Sequence, residues 1–499
     1  MAGGKGMTQR PILVLDEGTT STRAMLYTAD GRRQGMAQAE LTQYYPRPGW
    51  VEHDAAEIWQ RTLACARQMV EQAGGADRIA AIGITNQRET VLAWDRRTGQ
   101  PLSRAIVWQD RRTADACAAL REAGHEPWVQ QRTGLVLDPY FSATKMRWLL
   151  DHEPAVRAAG EALAFGTMES WLVWNLTGGL HISDASNASR TQLMALEGDG
   201  WDGTLADLFG VPVQALPEIV DNAGAYGETL ADLFGRPIPI CGLAGDQQAA
   251  AIGQGCLQPG DAKATLGTGA FVLANRGGHA PVSTHRLLGT LLYRLPGERV
   301  YALEGSLFVA GSLIQWLRDG LGLISTAQET EALARSVPDS GGVTMLPALA
   351  GLGAPWWRPD ATGTIAGLTQ GTTRAHIVRA ALESLSHQIV DLAAAFAADG
   401  APWRLLRIDG GMSANDWIAQ DMADMIDLTV HRPADVETTA RGAAMLAAVG
   451  SGLFATLHDA AKSMGSDGAC FTPTMNADVR AGRLARWCQM VQPFSPDVQ

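Results

Sequence analysis

The sequence lacks most of the features that mark zinc-binding, disulfide-rich and nucleic-acid-binding proteins. Its six cysteines form no Cys-x-x-Cys pair, and none lies near a histidine at the spacing of zinc ligands. In a chain of this length we therefore expect reduced thiols in the core. Basic residues are not in excess either, since the formal net charge is −12 at pH 7. That charge gives no electrostatic reason to bind nucleic acid.

Long apolar segments are also missing. Residues 1–10 are Gly-rich and polar and lack the apolar core of a secretory signal. The longest weakly apolar stretch, residues 442–457, is rich in Ala and Gly and too short to span a bilayer, so we predict a buried helix there. These absences predict a cytoplasmic protein without membrane insertion.

Two familiar nucleotide-binding signatures do not apply. The pattern Gly-x-x-x-x-Gly-Lys-Ser/Thr is absent. Gly-x-Gly-x-x-Gly occurs at residues 198–203, but Asp199 and Asp202 bring negative charge into that turn and no βαβ pattern surrounds it. We interpret this match as chance. An acidic protein can still bind a phosphate locally, through backbone N–H groups and a metal ion.

The sequence does contain a similar hairpin in each half. Gly18-Thr19-Thr20 joins two strand-like segments near the N-terminus, and Gly267-Thr268-Gly269 joins two others. A chain of 499 residues favours two domains, and Gly and Pro cluster between residues 253 and 260. We predict related domains at residues 8–254 and 255–499, with a nucleotide held between them.

The first hairpin supplies a candidate site for phosphate and magnesium. Glycine lets a phosphate approach the backbone, and successive N–H groups in a tight turn bind anions. Asp16 ends the preceding apolar strand and suits Mg²⁺, which takes oxygen ligands and keeps much of its hydration. The alternative is an ordinary hairpin turn with a solvated Asp. Either hairpin taken alone leaves that alternative open.

Asp246 is a candidate general base. It follows Gly245 at the end of a short strand, where a carboxylate can take a proton from an alcohol while Gln247 orients that alcohol. The alternative is a helix N-cap for the Ala-rich segment that follows. From the local sequence alone, the cap is the favoured interpretation.

Three further segments could contact ligands. Arg88 and Glu89, in a polar run directly after a strand, offer donors and an acceptor for a small polyol, although a surface ion pair is the commoner role of such neighbours. Trp108 and Phe271 could line a small pocket, with core packing as the default for single aromatic residues. The strand, Gly-Gly turn and helix start at residues 405–415 could form a nucleotide-contacting edge.

Taken together, these segments resemble the FGGY family of carbohydrate kinases, and within it the members that act on glycerol. The resemblance covers nearly the whole chain. Ordered stretches carry it, and they are far more specific than any single loop: DEGTTSTR (16–23), YPRPGWVEHD (45–54), GITNQRET (83–90), AIVWQ (105–109), GLVLDPYFS (134–142), GLAGDQQA (242–249), GLGAP (351–355) and DGG (409–411).

The resemblance implies an α/β fold of two actin-like (ribonuclease-H-like) domains that flank a cleft for nucleotide and substrate. It implies ATP-dependent phosphorylation of glycerol with Mg²⁺, Asp246 as general base, and a homodimer or homotetramer. The substrate-binding residues would be Arg88, Glu89, Trp108, Tyr140, Asp246, Gln247 and Phe271. The nucleotide-binding residues would be Thr19, Thr20, Ser21, Arg23, Thr268, Gly311, Gln315, Gly411 and Asn415. Asp16 and Asp246 would hold the metal.

A departure at position 17 and rival functions accompany the resemblance. Position 17 is Glu17 where the best-known members carry Gln, and strand alternation predicts that its side chain points away from the face that Asp16 uses. One rival is a kinase of the same family that acts on a pentulose or another sugar. By the resemblance, Arg88, Glu89 and Trp108 favour glycerol as the substrate over such a sugar. The other is an actin-like or chaperone-like ATPase, because a fold alone does not fix function.

Overall fold

The computed structural model describes residues 10–358 and 360–494, and two large β-sheets with helices packed on them organise this part of the chain. The first two residues of the predicted N-terminal domain, the last five of the predicted C-terminal domain, and nearly all of the N-terminal segment expected not to be a signal lie outside the described residues.

The N-terminal half builds a six-stranded sheet. Its strands are β1 (Ile12–Glu17), β2 (Ser21–Tyr27), β3 (Arg33–Glu40), β4 (Ile82–Asn86), β5 (Ala223–Glu228) and β6 (Pro239–Gly245). They lie in the order β5-β6-β4-β1-β2-β3, in which β1, β2 and β3 are antiparallel while β4 and β6 run parallel to β1. Every residue of β1 is buried, which is the pattern of a central strand with both faces covered.

The C-terminal half builds a seven-stranded sheet. Its strands are β7 (Asp261–Leu266), β8 (Ala270–Gly277), β9 (Leu288–Leu295), β10 (Glu298–Leu307), β11 (Leu405–Asp409), β12 (Val430–Pro433) and β13 (Gly468–Phe471). They lie in the order β9-β10-β8-β7-β11-β12-β13. Strands β7, β8 and β10 are antiparallel while β11 and β12 run parallel to β7, so the two sheets share one strand arrangement.

Helices and short strands cover or connect the sheets. The helices of the N-terminal half are α1 (Ala55–Ala73), α2 (Ala114–Glu122), α3 (Glu126–Thr133), α4 (Ser142–His152), α5 (Pro154–Ala159), α6 (Met168–Thr177), α7 (Ala185–Ala188), α8 (Gly203–Phe209), α9 (Ala231–Phe234) and α10 (Asp246–Gly253). Those of the C-terminal half are α11 (Gly311–Gln315), α12 (Glu329–Arg335), α13 (Arg374–Ala398), α14 (Asp416–Ile426), α15 (Thr438–Gly450), α16 (Leu457–Met464) and α17 (Ala477–Val491). The short strands are Glu52–His53, Leu92–Asp95, Gln100–Pro101, Ala105–Ile106, Leu163–Gly166, Ile182–Asp184, Glu218–Val220, Thr344–Leu346 and Thr364–Ala366.

Helices α10 and α15 cross where the two halves meet. A Cβ at Gly253 would overlap the carbonyl oxygen of Thr438, and a Cβ at Gly442 would overlap the carbonyl oxygen of Ala249. Glycine is therefore needed at both positions for the two backbones to approach this closely. Helix α15 also packs on β1, β4 and β6, although its sequence belongs to the C-terminal half.

Most predicted elements are present, with shifted ends. The helix predicted from residue 248 begins at Asp246, and the strand predicted at residues 79–84 runs from Ile82 to Asn86. The buried helix predicted over residues 442–457 spans Thr438–Gly450 and is followed by a turn with Gly452 in the left-handed region. The domain boundary predicted near residue 254 remains a prediction, and α15 shows that sequence halves and packing units are not identical here.

Candidate active site

Trp108 lies between the tips of the two hairpins, and the space beside its ring is the candidate ligand pocket. At the first tip, Gly18 donates its backbone N–H to the Ser21 carbonyl over 3.0 Å and closes the turn. Trp108 links this tip to the second hairpin, because its Nε1 donates to Thr19 Oγ1 over 2.9 Å and its ring lies 6.1 Å from that of Phe271. Tyr140 completes the aromatic wall, with its ring 5.6 Å from Trp108.

Asp246 lies at the end of β6 and begins α10. Its Oδ1 is 3.2 Å from Arg88 Nε and accepts the backbone N–H of Gln247 over 2.7 Å. Gly245 occupies the N-cap position, so Asp246 is the first residue of the helix rather than its cap. About a third of the Asp246 side chain is exposed, which leaves a carboxylate available to a ligand in the pocket.

Arg88 and Glu89 are buried at the edge of the same pocket. They are 3 % and 1 % exposed, so the alternative interpretation as a surface ion pair is wrong. Arg88 Nη1 donates to Glu304 Oε2 over 2.6 Å, and Arg88 Nη2 approaches the Tyr140 hydroxyl at 3.3 Å. Burial raises the pKa of the Glu89 carboxyl, while Arg88 and Arg190 oppose that rise.

The backbone of Glu89 has an unusual conformation that other side chains stabilise. Its φ of 61° lies in the left-handed region, which costs a non-glycine residue of the order of 1–3 kcal/mol. Lys145 Nζ and Ser142 Oγ both donate to its carbonyl oxygen, over 3.1 and 3.2 Å. On the other side, Arg190 Nε donates to Glu89 Oε1 over 2.6 Å. The carboxylate is therefore fixed from both ends of the residue.

Asp16 is buried at the end of β1 and forms an ion pair with Arg23. Arg23 Nη2 lies 2.6 Å from Asp16 Oδ2, and Arg23 Nη1 lies 2.8 Å from Glu437. Burial raises the pKa of Asp16 against the opposing effect of Arg23, and the nearby Asp246 carboxylate raises it further. Arg23 is therefore engaged by two carboxylates and does not extend from the hairpin tip.

Glu17 points away from the face that Asp16 uses, as strand alternation predicts. It is fully buried, and its two carboxyl oxygens lie 3.0 and 3.3 Å from Gln87 Nε2. Burial raises the pKa of Glu17 well above its usual value, and the Gln87 hydrogen bond only partly opposes this. Glu17 therefore points into the protein interior, on the opposite face of β1 from Asp16, and its contact there is with the Gln87 amide.

The other predicted nucleotide-binding residues form two groups in the C-terminal half. Gly311 donates its backbone N–H to Gly267 over 2.8 Å, and Ser312 donates to the Thr268 carbonyl over 3.0 Å, so α11, with Gln315 at its end, begins at the second hairpin tip. Asn415 caps α14 by accepting the Ile418 N–H, directly after the Gly411 turn. Thr20 is exposed at the first tip, beside Ser21.

Sequence reasoning missed Arg190, Glu304, Lys145 and Lys263, all of them buried and in contact with predicted site residues. A signal for two of them, Lys263 and Glu304, was present in the sequence. The chain has only four lysines, and Lys263 lies between Ala262 and Ala264 in a strand. Glu304 likewise interrupts the apolar run of β10. A single charged residue inside an apolar strand indicates either that the strand lies at the edge of a sheet or that the charge pairs with another buried polar group.

The family comparisons agree with this geometry. The model of the FGGY family of carbohydrate kinases, N-terminal domain, matches residues 11–253, and that of its C-terminal domain matches residues 262–451. The chain belongs to the FGGY family of carbohydrate kinases. The predicted family, the kinase activity and the fold of two actin-like domains are thereby confirmed.

Individual FGGY kinases resemble the chain over nearly its whole length. The glycerol kinase of Aromatoleum aromaticum is 53% identical over 486 residues, which are 96% of this chain and 98% of that protein. A crystal structure of Plasmodium falciparum glycerol kinase with ADP aligns with a TM-score of 0.93 at 34% identity, covering 97% and 98% of the two chains. The xylulose kinase structure from Rhodospirillum rubrum gives a TM-score of 0.86 at 28% identity, covering 97% and 99%.

No helix within residues 10–358 and 360–494 is long and apolar enough to cross a membrane. In the same part of the chain, no three His, Cys, Asp or Glu side chains converge as a ready-made metal site.

Proposed function

We propose that this FGGY kinase transfers the terminal phosphoryl group of ATP to a terminal hydroxyl of glycerol. One observation carries the proposal. A partly exposed carboxylate, Asp246, lies 3.2 Å from the buried Arg88, which in turn lies 3.3 Å from the hydroxyl of Tyr140, one of three neighbouring aromatic residues with Trp108 and Phe271. Donors, acceptors and apolar faces in so small a space suit a short polyol. The similarity to glycerol kinases supports this choice over another kinase substrate.

In the proposed reaction, Arg88, Glu89 and Gln247 hold the hydroxyls of glycerol, and the aromatic rings contact its carbons. Asp246 accepts the proton of the reacting hydroxyl. That oxygen forms a bond to the γ-phosphorus of ATP as the bond from the γ-phosphorus to the β–γ bridging oxygen breaks, and ADP leaves. The protein mainly positions the groups and neutralises charge, which is typical of phosphoryl transfer.

The nucleotide would lie between the two hairpin tips. The backbone N–H groups and hydroxyls of Thr19, Thr20, Ser21 and Thr268 are the donors that phosphate requires. Gly311, Gln315, Gly411 and Asn415 would line the remainder of the site. Arg23 would reach a phosphate only after loosening its contact with Asp16 or Glu437, at 2.6 and 2.8 Å.

Mg²⁺ belongs to the proposal, and the residues present fit it. Asp16 and Asp246 are close enough for the Asp246 charge to raise the Asp16 pKa, and two carboxylates beside bound phosphates are the oxygen ligands that Mg²⁺ prefers. When bound, the metal would neutralise charge on the β- and γ-phosphates. Asp16, held by Arg23, would keep its carboxylate oriented toward that position.

The cellular setting completes the proposal. The enzyme would act in the cytoplasm, where ATP is available, and the family resemblance supports a homodimer or homotetramer. Size-exclusion chromatography with light scattering would test the assembly.

A substrate panel tests the proposed reaction. ADP release is measured by a coupled assay with glycerol, xylulose, ribulose and no acceptor, and the phosphorylated product is identified by mass spectrometry. We expect the highest kcat/KM with glycerol. Faster phosphorylation of a pentulose would contradict the choice of substrate, and ATP hydrolysis indifferent to glycerol would contradict a kinase acting on it.

A further inference from the structure

Two buried charges project from one face of the C-terminal sheet toward the N-terminal half. Lys263 on β7 and Glu304 on β10 are both 0% exposed. They lie in one row across the sheet, because Leu273 on β8 pairs with each of them in register. Burying an ion is costly unless it is paired, so each should have a specific partner.

Glu304 completes a charge cluster whose other members come from the N-terminal half. Its Oε2 accepts Arg88 Nη1 over 2.6 Å, and its Oε1 accepts Arg190 Nη2 over 2.9 Å. Arg190 in turn donates to Glu89 over 2.6 Å. Burial opposes ionisation of Glu304, yet the two guanidinium groups lower its pKa to about 2. Glu304 therefore remains an anion that fixes Arg88 directly and Glu89 through Arg190.

Lys263 acts on the other side of the pocket. Its Nζ donates to Gln247 Oε1, and to Thr265 Oγ1 over 2.9 Å. A lysine ammonium can only donate, so this contact fixes the amide with its oxygen toward Lys263 and leaves its NH₂ for the pocket. Gln247 can then offer a hydrogen-bond donor, and not an acceptor, to a substrate hydroxyl.

We propose that Glu304 and Lys263 are positioning residues through which the C-terminal sheet sets the orientation of Arg88, Glu89 and Gln247. The polyol site is then complete only when the two halves are packed together. This inference rests on the proposed phosphorylation of glycerol and names the residues that orient its acceptor site.

Glu304→Gln is the first test, with Glu298→Gln, at the exposed start of the same strand, as its control. Loss of a charged hydrogen bond in a buried cluster should raise the KM for glycerol roughly 10–100-fold. The KM for ATP should stay within about twofold, because the nucleotide site is not contacted. If Glu304 had a purely structural role, Glu304→Gln would lower the folded fraction or kcat, and the KM values for glycerol and ATP would change alike.

Lys263→Met is the second test and does not depend on the first variant folding. It removes the donor at similar side-chain length, so the Gln247 amide can rotate, and we expect the KM for glycerol to rise about tenfold. Lys462→Met, at an exposed lysine, is the matched control and should leave both KM values unchanged.

The outcomes separate the two proposals. If the wild-type protein does not phosphorylate glycerol, the proposed function fails first. If the wild type does so, and Lys263→Met together with any folded Glu304→Gln leaves the glycerol KM unchanged or changes both KM values alike, the positioning role is overturned while the function stands. A selective rise in glycerol KM in either variant supports it.

Discussion

The two halves of the molecule share one strand arrangement but distribute charge differently. The first strands β1 and β7 correspond, and both end at a Gly-Thr tip. Where β1 has Asp16 and Glu17, β7 has Thr265 and Leu266. The N-terminal half therefore supplies Asp16, Asp246 and most of the proposed substrate-binding side chains, and the C-terminal half supplies Phe271, hydroxyls, glycines and the isolated charges of Lys263 and Glu304. A duplicated scaffold need not duplicate its chemistry.

The largest expected effect of a substitution is on turnover, and it follows from a difference between the ends of the equivalent strands β6 and β12. Strand β6 ends beside Asp246, whereas β12 ends at Pro433, so only one half provides the proposed base. Asp246→Asn should keep the fold and lower kcat roughly 10²–10⁴-fold. Steady-state kinetics and circular dichroism measure both properties.

A matched control for this variant is Asp459→Asn, in the first turn of α16 on the protein surface. It should retain wild-type turnover. Near-normal kcat in Asp246→Asn would show instead that the carboxylate serves only the start of its helix.

The next effect tests the symmetry of the helix crossing. Gly253 and Gly442 occupy corresponding places in α10 and α15, and a Cβ at either would meet a carbonyl oxygen of the other helix. Gly442→Ala should lower the free energy of unfolding by about 1–3 kcal/mol, the usual effect of overpacking. Gly203→Ala, where nothing lies within 4 Å of the added Cβ, is the control. Urea denaturation measures the difference, and equal stability of the two variants would mean that the crossing relaxes freely.

A third prediction contrasts two acids of the C-terminal half, the buried Glu304 and the half-buried Asp391. Arg88 and Arg190 lower the pKa of Glu304, whereas Asp391 accepts the indole N–H groups of Trp487 and Trp356, at 2.9 and 3.2 Å. Burial raises the pKa of Asp391 to about 7. An acid whose folded pKa exceeds its unfolded pKa of about 3.9 binds more protons when folded, so stability falls as pH rises between these values.

Replacing Asp391 tests whether stability falls as pH rises. The wild-type free energy of unfolding should fall by up to about 1.4 kcal/mol per pH unit between roughly pH 4 and 7, and then level off. Asp391→Asn should remove this pH-dependent loss of stability. The Tm of the variant should therefore rise relative to the Tm of the wild type from pH 5 to pH 7.5. A difference that is constant over this range would contradict the raised pKa.

The smallest effect concerns Glu17, whose counterpart in the C-terminal half is the buried Leu266. Because Glu17 is buried and bonded to Gln87, and because burial raises its pKa, Glu17→Gln should change kcat and the KM for ATP by less than about threefold at neutral pH. Initial-rate measurements at pH 6.5 and 8.5 would check this. A large gain in ATP affinity at both pH values would show that Glu17 is charged and repels the nucleotide.

The sequence allowed prediction of what is local or repeated. Gly-Thr tips, the carboxylate after a strand and the apolar strands all produce signals within a few residues, and the family resemblance joined them. The contacts of Glu304 could not be predicted this way, because its partner Arg88 lies 216 residues away and neither local sequence specifies the pairing. The cap interpretation of Asp246 failed for a related reason. The local pattern indicates a helix start, but only the folded chain shows that Gly245 takes the cap position.

The return of α15 to the first sheet has a consequence for synthesis on the ribosome. Ala443, Ala447 and their neighbours on this helix share one core cluster with Ile12 and Val14 of β1. The strands of the first sheet therefore keep an uncovered apolar face until the chain has emerged as far as Gly450. A fragment ending near residue 254 would carry that face permanently, and we expect it to aggregate unless the helix is supplied in trans.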